Sequence, residues 1–173
     1  MKSGILPSLF ALLALSTLGT PTAPAADPSA ATKRVIVLCT GNSARSQMSE
    51  GFLKQIDPRL EVHSAGTNPS PRVNPYAVKA MAEKGIDISK GSPKNVSQFL
   101  GQSFDWVITV CDDADKNCPN FRGKVGKRVH IGFPDPAKAT GTDAEKMAIF
   151  RKTRDDIQRR LTEFYQTDMK SKL

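Results

Sequence analysis

Apolar positions follow two rhythms along this chain. Unbroken runs, RVIVL at 34–38 and DWVITV at 105–110, read as strands buried on both faces of a parallel sheet. LEVHSAG at 60–66 and KRVHIGF at 127–133 predict two further strands. Met48, Phe52 and Ile56 recur every four residues, which predicts a helix beginning near Arg45–Ser46. Tyr76 to Lys84 predicts a second helix, closed by Gly85 at the position just past its cap. Ser92 to Leu100 predicts a short third. Asp143 to Tyr165 predicts a long last helix, with Met147, Phe150, Thr153, Ile157, Leu161 and Phe164 on one face. Within it, KTRDDIQRR mixes both charges and reads as a solvated face. Strands alternate with helices and no two strands share a hairpin turn. This gives an α/β fold with a parallel sheet and helices on both faces.

One apolar run stands apart. Ile5 to Gly19, ILPSLFALLALSTLG, has no charge and follows Lys2. It is shorter than the about 20 residues a membrane-spanning helix needs. Small residues and prolines follow, with Ala23-Pro24-Ala25 as a cleavage site. The expectation is a signal peptide over 1–26, a linker over 27–33, a domain over 34–167 and a tail over 168–173. The chain is then exported, to a periplasm. The alternative is a start codon assigned too far upstream, and a cytoplasmic chain.

Charge narrows the ligand. The 173 residues hold 25 Lys+Arg against 17 Asp+Glu, a formal +8, and are 39% hydrophobic. That is too apolar for a disordered chain, and three cysteines are too few for a disulfide-stapled one. No basic stripe interleaved with aromatics is present, so a small anion is expected rather than nucleic acid.

The chemistry gathers after the first strand. Cys39-Thr40-Gly41-Asn42-Ser43-Ala44-Arg45 places a cysteine at a strand end, a glycine-bearing loop, and an arginine where a helix begins. Successive N–H groups of such a loop form an anion nest, and the helix N-terminus adds its positive dipole end. The Arg45 guanidinium can fork two oxygens of a tetrahedral anion. The same field is expected to lower the Cys39 pKa, with the Ser46 hydroxyl donating to the thiolate. The alternative for Cys39 is a buried, inert thiol.

LCTGNSARSQMSEG resembles the phosphate-binding loop of the low-molecular-weight protein tyrosine phosphatase superfamily, and most of all its thioredoxin-coupled arsenate reductase branch. The resemblance runs from Arg34 to Tyr165 and includes HSAG at 63–66, VNP at 73–75, ITVCDDADKNCP at 108–119 and GFPDPAKATGT at 132–142. It implies a four-stranded parallel sheet in the order 2-1-3-4. Cys39 and Cys111 then end neighbouring strands, about 4.8 Å apart, at the crevice where open α/β sheets bind ligands. Cys118 follows Cys111 by seven residues, about 10.5 Å of rise in a helix. A disulfide needs Cα atoms within about 6.8 Å, so 111–118 must be a loop or unwind.

The implied function is reduction of arsenate to arsenite. Cys39 attacks arsenate, Asp135 of the PDP turn is the general acid, and Cys111 and Cys118 complete a disulfide relay. A thioredoxin-type dithiol regenerates it, phosphate or sulfate competes, and the protein is a monomer with no metal and no bound cofactor. Ala44 stands where many relatives carry a further cysteine. Lys94 stands where some carry an Asp that binds potassium with residues matching Asn42, Glu50 and Ser92, so its ammonium is expected to replace the ion. His63, His130 and Trp106 are given no role. One rival is a tyrosine phosphatase using only Cys39, Arg45 and Asp135. That branch usually has Tyr after the acid's DP, where this chain has Ala137. The other rival is a non-enzymatic oxyanion-binding or redox-sensing protein.

Overall fold

Four short strands, the central two apolar throughout most of their length, form the sheet that positions everything else. In the computed structural model, which describes Met1 and residues 32–173, they are β1 (Arg34–Cys39), β2 (Glu61–Gly66), β3 (Phe104–Thr109) and β4 (Val125–His130). All pairings are parallel, in the order β2-β1-β3-β4. The central strand β1 is the most deeply buried, with Val35 to Leu38 at most 1% exposed. That is why its sequence lacks any polar alternation.

The helices are α1 (Arg45–Ile56), α2 (Pro75–Ala82), α3 (Asp112–Lys116) and α4 (Asp143–Phe164). One face of the sheet carries α1, α2 and α4. There Ser64 of β2 meets Glu50 of α1, and Trp106 of β3 meets Asp168 just past α4. The other face carries α3 and a 3-10 turn at Val96–Phe99, where Thr109 meets Asp115 and the His63 ring lies 5.3 Å from Phe99. Helices on both faces and the strand order agree with the fold expected.

Local signals explain the helix ends. Asn74 caps α2 through the Tyr76 N–H, with Pro75 in the first turn. Gly85 sits at φ +72°, with Ile86 N–H bonding Met81 O and Gly85 N–H bonding Ala82 O, a Schellman close. Thr142 and Glu145 form a full capping box on α4.

Four expectations need correction, and one alternative is decided. The helix over 92–100 is only the 3-10 turn at 96–99, because Asn95 caps it late and Leu100 ends it. The fourth strand starts two residues earlier and ends at His130. It is an edge strand whose Gly126, Lys127 and Arg128 are exposed, so it lacks the apolar run that marks a central strand. Of the two alternatives for 111–118, residues 112–116 are helical. KTRDDIQRR is not uniformly solvated: Thr153, Arg154 and Ile157 are buried, and Arg154 is satisfied by Ala80 O, Glu83 and Asp155. Residues 168–172 are not a free tail. A π-helical turn (Tyr165–Met169) and a 3-10 turn continue the last helix, Met169 is fully buried, and Asp168 holds the Trp106 indole and Lys127. The signal peptide expected over 1–26 lies outside the described residues.

Candidate active site

The loop joining β1 to α1 has its acceptors and donors sorted to opposite sides. The carbonyls of Cys39, Thr40, Gly41 and Ser43 accept from the N–H groups of Thr67, Asn68, Ser70 and Asn74 at 2.8–3.2 Å. In a trans peptide the following N–H points the other way. The N–H groups of Thr40, Gly41, Asn42 and Ala44 therefore turn inward. The Asn42 N–H meets Cys39 Sγ at 3.0 Å. At the start of α1, Ala44 supplies no capping side chain, which leaves the helix N-terminus to an anion.

Asn42 is the internal brace. It takes a left-handed φ of +46°, which Asn tolerates better than most residues. Its side chain is fully buried and donates to Ser46 Oγ at 2.9 Å and Ser64 Oγ at 2.8 Å. Its Oδ1 accepts from the Lys94 N–H at 2.8 Å. Gly66, opposite Cys39 on β2, allows the close approach: a Cβ there would run into the Thr40 carbonyl.

Cys39 is almost wholly buried, with Ser46 Oγ 2.9 Å from its sulfur. Burial pushes its thiol up; the Ser46 hydroxyl and the Asn42 N–H pull it down, and burial prevails. The expected depression of its pKa is thus corrected. Burial is the largest influence on that pKa, and Arg45 is engaged elsewhere. Its guanidinium bonds Phe133 O at 3.1 Å and pairs with Asp135 Oδ2 at 3.1 Å.

Cys39, Thr40, Gly41, Ser43, Ala44, Arg45, Cys111 and Asp135 all line one cleft of about 550 Å³. Asn42 and Ser46 lie behind the wall, fully buried. Cys111 ends the run after β3 and caps α3, with its sulfur 3.5 Å from Thr40 Oγ1. Cys118 is not part of the cleft. It is half-buried past α3, and its sulfur accepts from Arg128 at 3.0 Å. All three cysteines are free thiols.

A model of the family described as low molecular weight phosphotyrosine protein phosphatase matches residues 34–172. The chain belongs to that family. It is 48% identical over 136 residues to an arsenate reductase of Halalkalibacterium halodurans, covering 78% of this chain and 96% of the relative. It is 47% identical over the same span to an arsenate reductase of Bacillus subtilis. A solved arsenate reductase in the phosphate binding state superposes with a TM-score of 0.62 at 28% identity, over 78% of this chain and 97% of that one.

These relatives overturn the expectation of export. With 136 residues covering 96% of each relative, too few of its residues remain for a counterpart of 1–26. Among the described residues no helix is long and apolar enough to cross a membrane.

Several residues of this phosphatase-family loop have no signal of their own in the sequence. Ser64 and Gln47 complete the brace on Asn42, and Phe133 O holds Arg45. Each acts by position in the fold. Only the HSAG and GFPDP blocks, taken as part of the resemblance, mark the neighbourhoods of Ser64 and Phe133.

Proposed function

We propose that this chain reduces arsenate to arsenite through a relay of Cys39, Cys111 and Cys118. The observation that carries the reading is that Cys111 opens into the same cleft as Cys39, from the neighbouring strand end. Phosphoester hydrolysis has no use for a second thiol there. The identity to named arsenate reductases supports the same substrate.

The cleft binds arsenate with the inward N–H groups and the α1 N-terminus. Arg45 leaves Asp135 to fork two arsenate oxygens, which frees the carboxyl for proton transfer. Cys39 thiolate attacks arsenic, the As–O bond breaks, and Asp135 protonates the departing oxygen. Cys111 then attacks Cys39 Sγ. The S–As bond breaks with its electron pair on arsenic, which falls from As(V) to As(III). Cys118 attacks Cys111, and Cys39 leaves as the thiolate. An external dithiol of the thioredoxin type reduces Cys111–Cys118. Phosphate and sulfate compete for the cleft. The chain acts as a monomer, supported by large exposed apolar side chains that are scattered among the described residues.

Lys94 takes the place of a potassium ion. Its ammonium lies 3.9 Å from Glu50 Oε2 and 3.4 Å from Ser92 O, while its backbone N–H holds Asn42.

The test is NADPH oxidation by the purified chain with arsenate, thioredoxin and thioredoxin reductase. Dependence on arsenate and on both Cys111 and Cys118 is the expected result. Aryl-phosphate hydrolysis that survives C111S and C118S, with no arsenate turnover, would instead leave a phosphatase acting through a Cys39 phosphoenzyme.

A further inference from the structure

Cys118 is met by one cation, and that cation is held in place. Arg128 Nη1 donates to Cys118 Sγ at 3.0 Å and reaches Pro119 O at 3.5 Å. The Arg128 guanidinium carbon lies 5.5 Å from the centre of the Phe121 ring. Three groups of the 118–121 segment thus fix a guanidinium that springs from the exposed edge strand β4. A planar cation on an aromatic face is pre-organised for its acceptor.

We propose that Arg128 is the residue that readies Cys118 for the second exchange, holding its sulfur against β4 and stabilising the charge it takes on as it attacks Cys39–Cys111. The inference rests on the relay reading above. In the step itself, Cys118 thiolate bonds to Cys111 Sγ, the Cys39–Cys111 bond breaks, and its electron pair leaves on Cys39. No net oxidation occurs and no further reductant is required. The thiol needs such help. Burial pushes its pKa up and prevails; the charge and hydrogen bond of Arg128 on β4 oppose it, and Asp115 of α3 adds a smaller rise. Arg128 is a positioning residue for this step, since it acts through Cys118.

The test is alkylation of the reduced full chain by iodoacetamide across pH 6–10, read by mass on the peptide containing Cys118. In R128Q the Cys118 midpoint should rise by about one unit, with alkylation near pH 7 about tenfold slower. R128K keeps the charge and should recover part of the shift. The single-turnover conversion of Cys39–Cys111 to Cys111–Cys118 should slow in R128Q near pH 7 and recover at high pH, because a thiolate of higher pKa is the better nucleophile. Arg128 is exposed, so its removal leaves the core intact. An R128Q midpoint equal to wild type overturns the inference. The failure of the underlying relay looks different: arsenate turnover would then survive C118S, whatever Arg128 does to the alkylation midpoint.

Discussion

Arg45 and Asp135 are ion-paired at 3.1 Å in the lining of the cleft, and the reaction proposed above gives each another task. The pair is a competitor of the substrate for the same guanidinium. D135N should therefore separate binding from chemistry. Arsenate turnover should fall about 100-fold or more, as for loss of a general acid, while inhibition by phosphate holds or tightens because Arg45 is released. R45K should lose both, with kcat/KM down about 100-fold, because an ammonium cannot fork two oxygens. Weaker phosphate inhibition in D135N would contradict the competition.

Ser46 is the largest influence that opposes burial at Cys39. The thiolate reacts, so removing its donor raises the thiol pKa and moves the alkaline-rising limb of activity upward. S46A should show that limb displaced toward higher pH and a rate near pH 7 about tenfold lower. Recovery at high pH distinguishes this from damage to the loop. A limb that moves toward lower pH would reverse the assignment.

What the sequence conveyed depends on how far each signal is local. Gly85 marked a helix end because a left-handed residue there must be cheap for the backbone. Cys39 and Arg45 were legible because strand, glycine loop and helix are consecutive. The state of Cys39 was not legible: its burial is set by the packed fold, and Arg45 turns to Phe133 O and Asp135, both about 90 residues away. Arg154 looked solvated because its partners Ala80 O and Glu83 come from α2. Asp168 and Met169 looked like tail because the indole and the core they meet come from β3 and beyond. Contacts made across the fold leave no periodicity in the local sequence.

Lys94 predicts insensitivity to potassium. Its ammonium already sits beside Glu50 and Ser92 O, so raising potassium at constant ionic strength should leave arsenate turnover unchanged. K94A should open the position, lower activity in sodium buffer and restore it with potassium. A strong potassium response in the wild type would exclude the ammonium as the ion's replacement.

Asp57 ties the end of α1 to the end of α4. It accepts from Arg59 through three nitrogens, one of them backbone, and from the Tyr165 hydroxyl at 2.8 Å, and it is nearly buried. Arg59 foremost, with help from Tyr165 and against burial, holds its carboxyl at about 2. A lowered folded-state pKa stabilises the fold above the unfolded value, near 3.8, and that stability is lost as pH falls toward 2. D57N should cost about 1–2 kcal/mol at pH 7, allowing for the solvent around Arg59. The gap from wild type in urea midpoints should shrink below pH 4. A gap that stays constant to pH 2 would remove the carboxylate from the explanation.

The last expectation concerns α3, the helical turn between the two relay cysteines. Asp115 N–H bonds Cys111 O, Asn117 N–H bonds Asp113 O, and Cys118 N–H bonds Asp115 O. Thr109 and His130 hold Asp115 from the sheet, at 2.8 Å and 3.5 Å. A regular helix over seven residues would rise about 10.5 Å, a disulfide tolerates about 6.8 Å between Cα atoms, and α3 supplies five residues of helix. The expectation is that these bonds open when Cys111–Cys118 forms. Oxidation of the chain by one equivalent of arsenate should strip hydrogen-exchange protection from the amides of 115–118, and reduction should restore it. C118S stops at Cys39–Cys111 and should keep the turn protected. D115A removes the sheet anchor and should speed the second exchange. Persistent protection of 115–118 in a chain proven to carry Cys111–Cys118 would mean that the backbone closes the gap by another route.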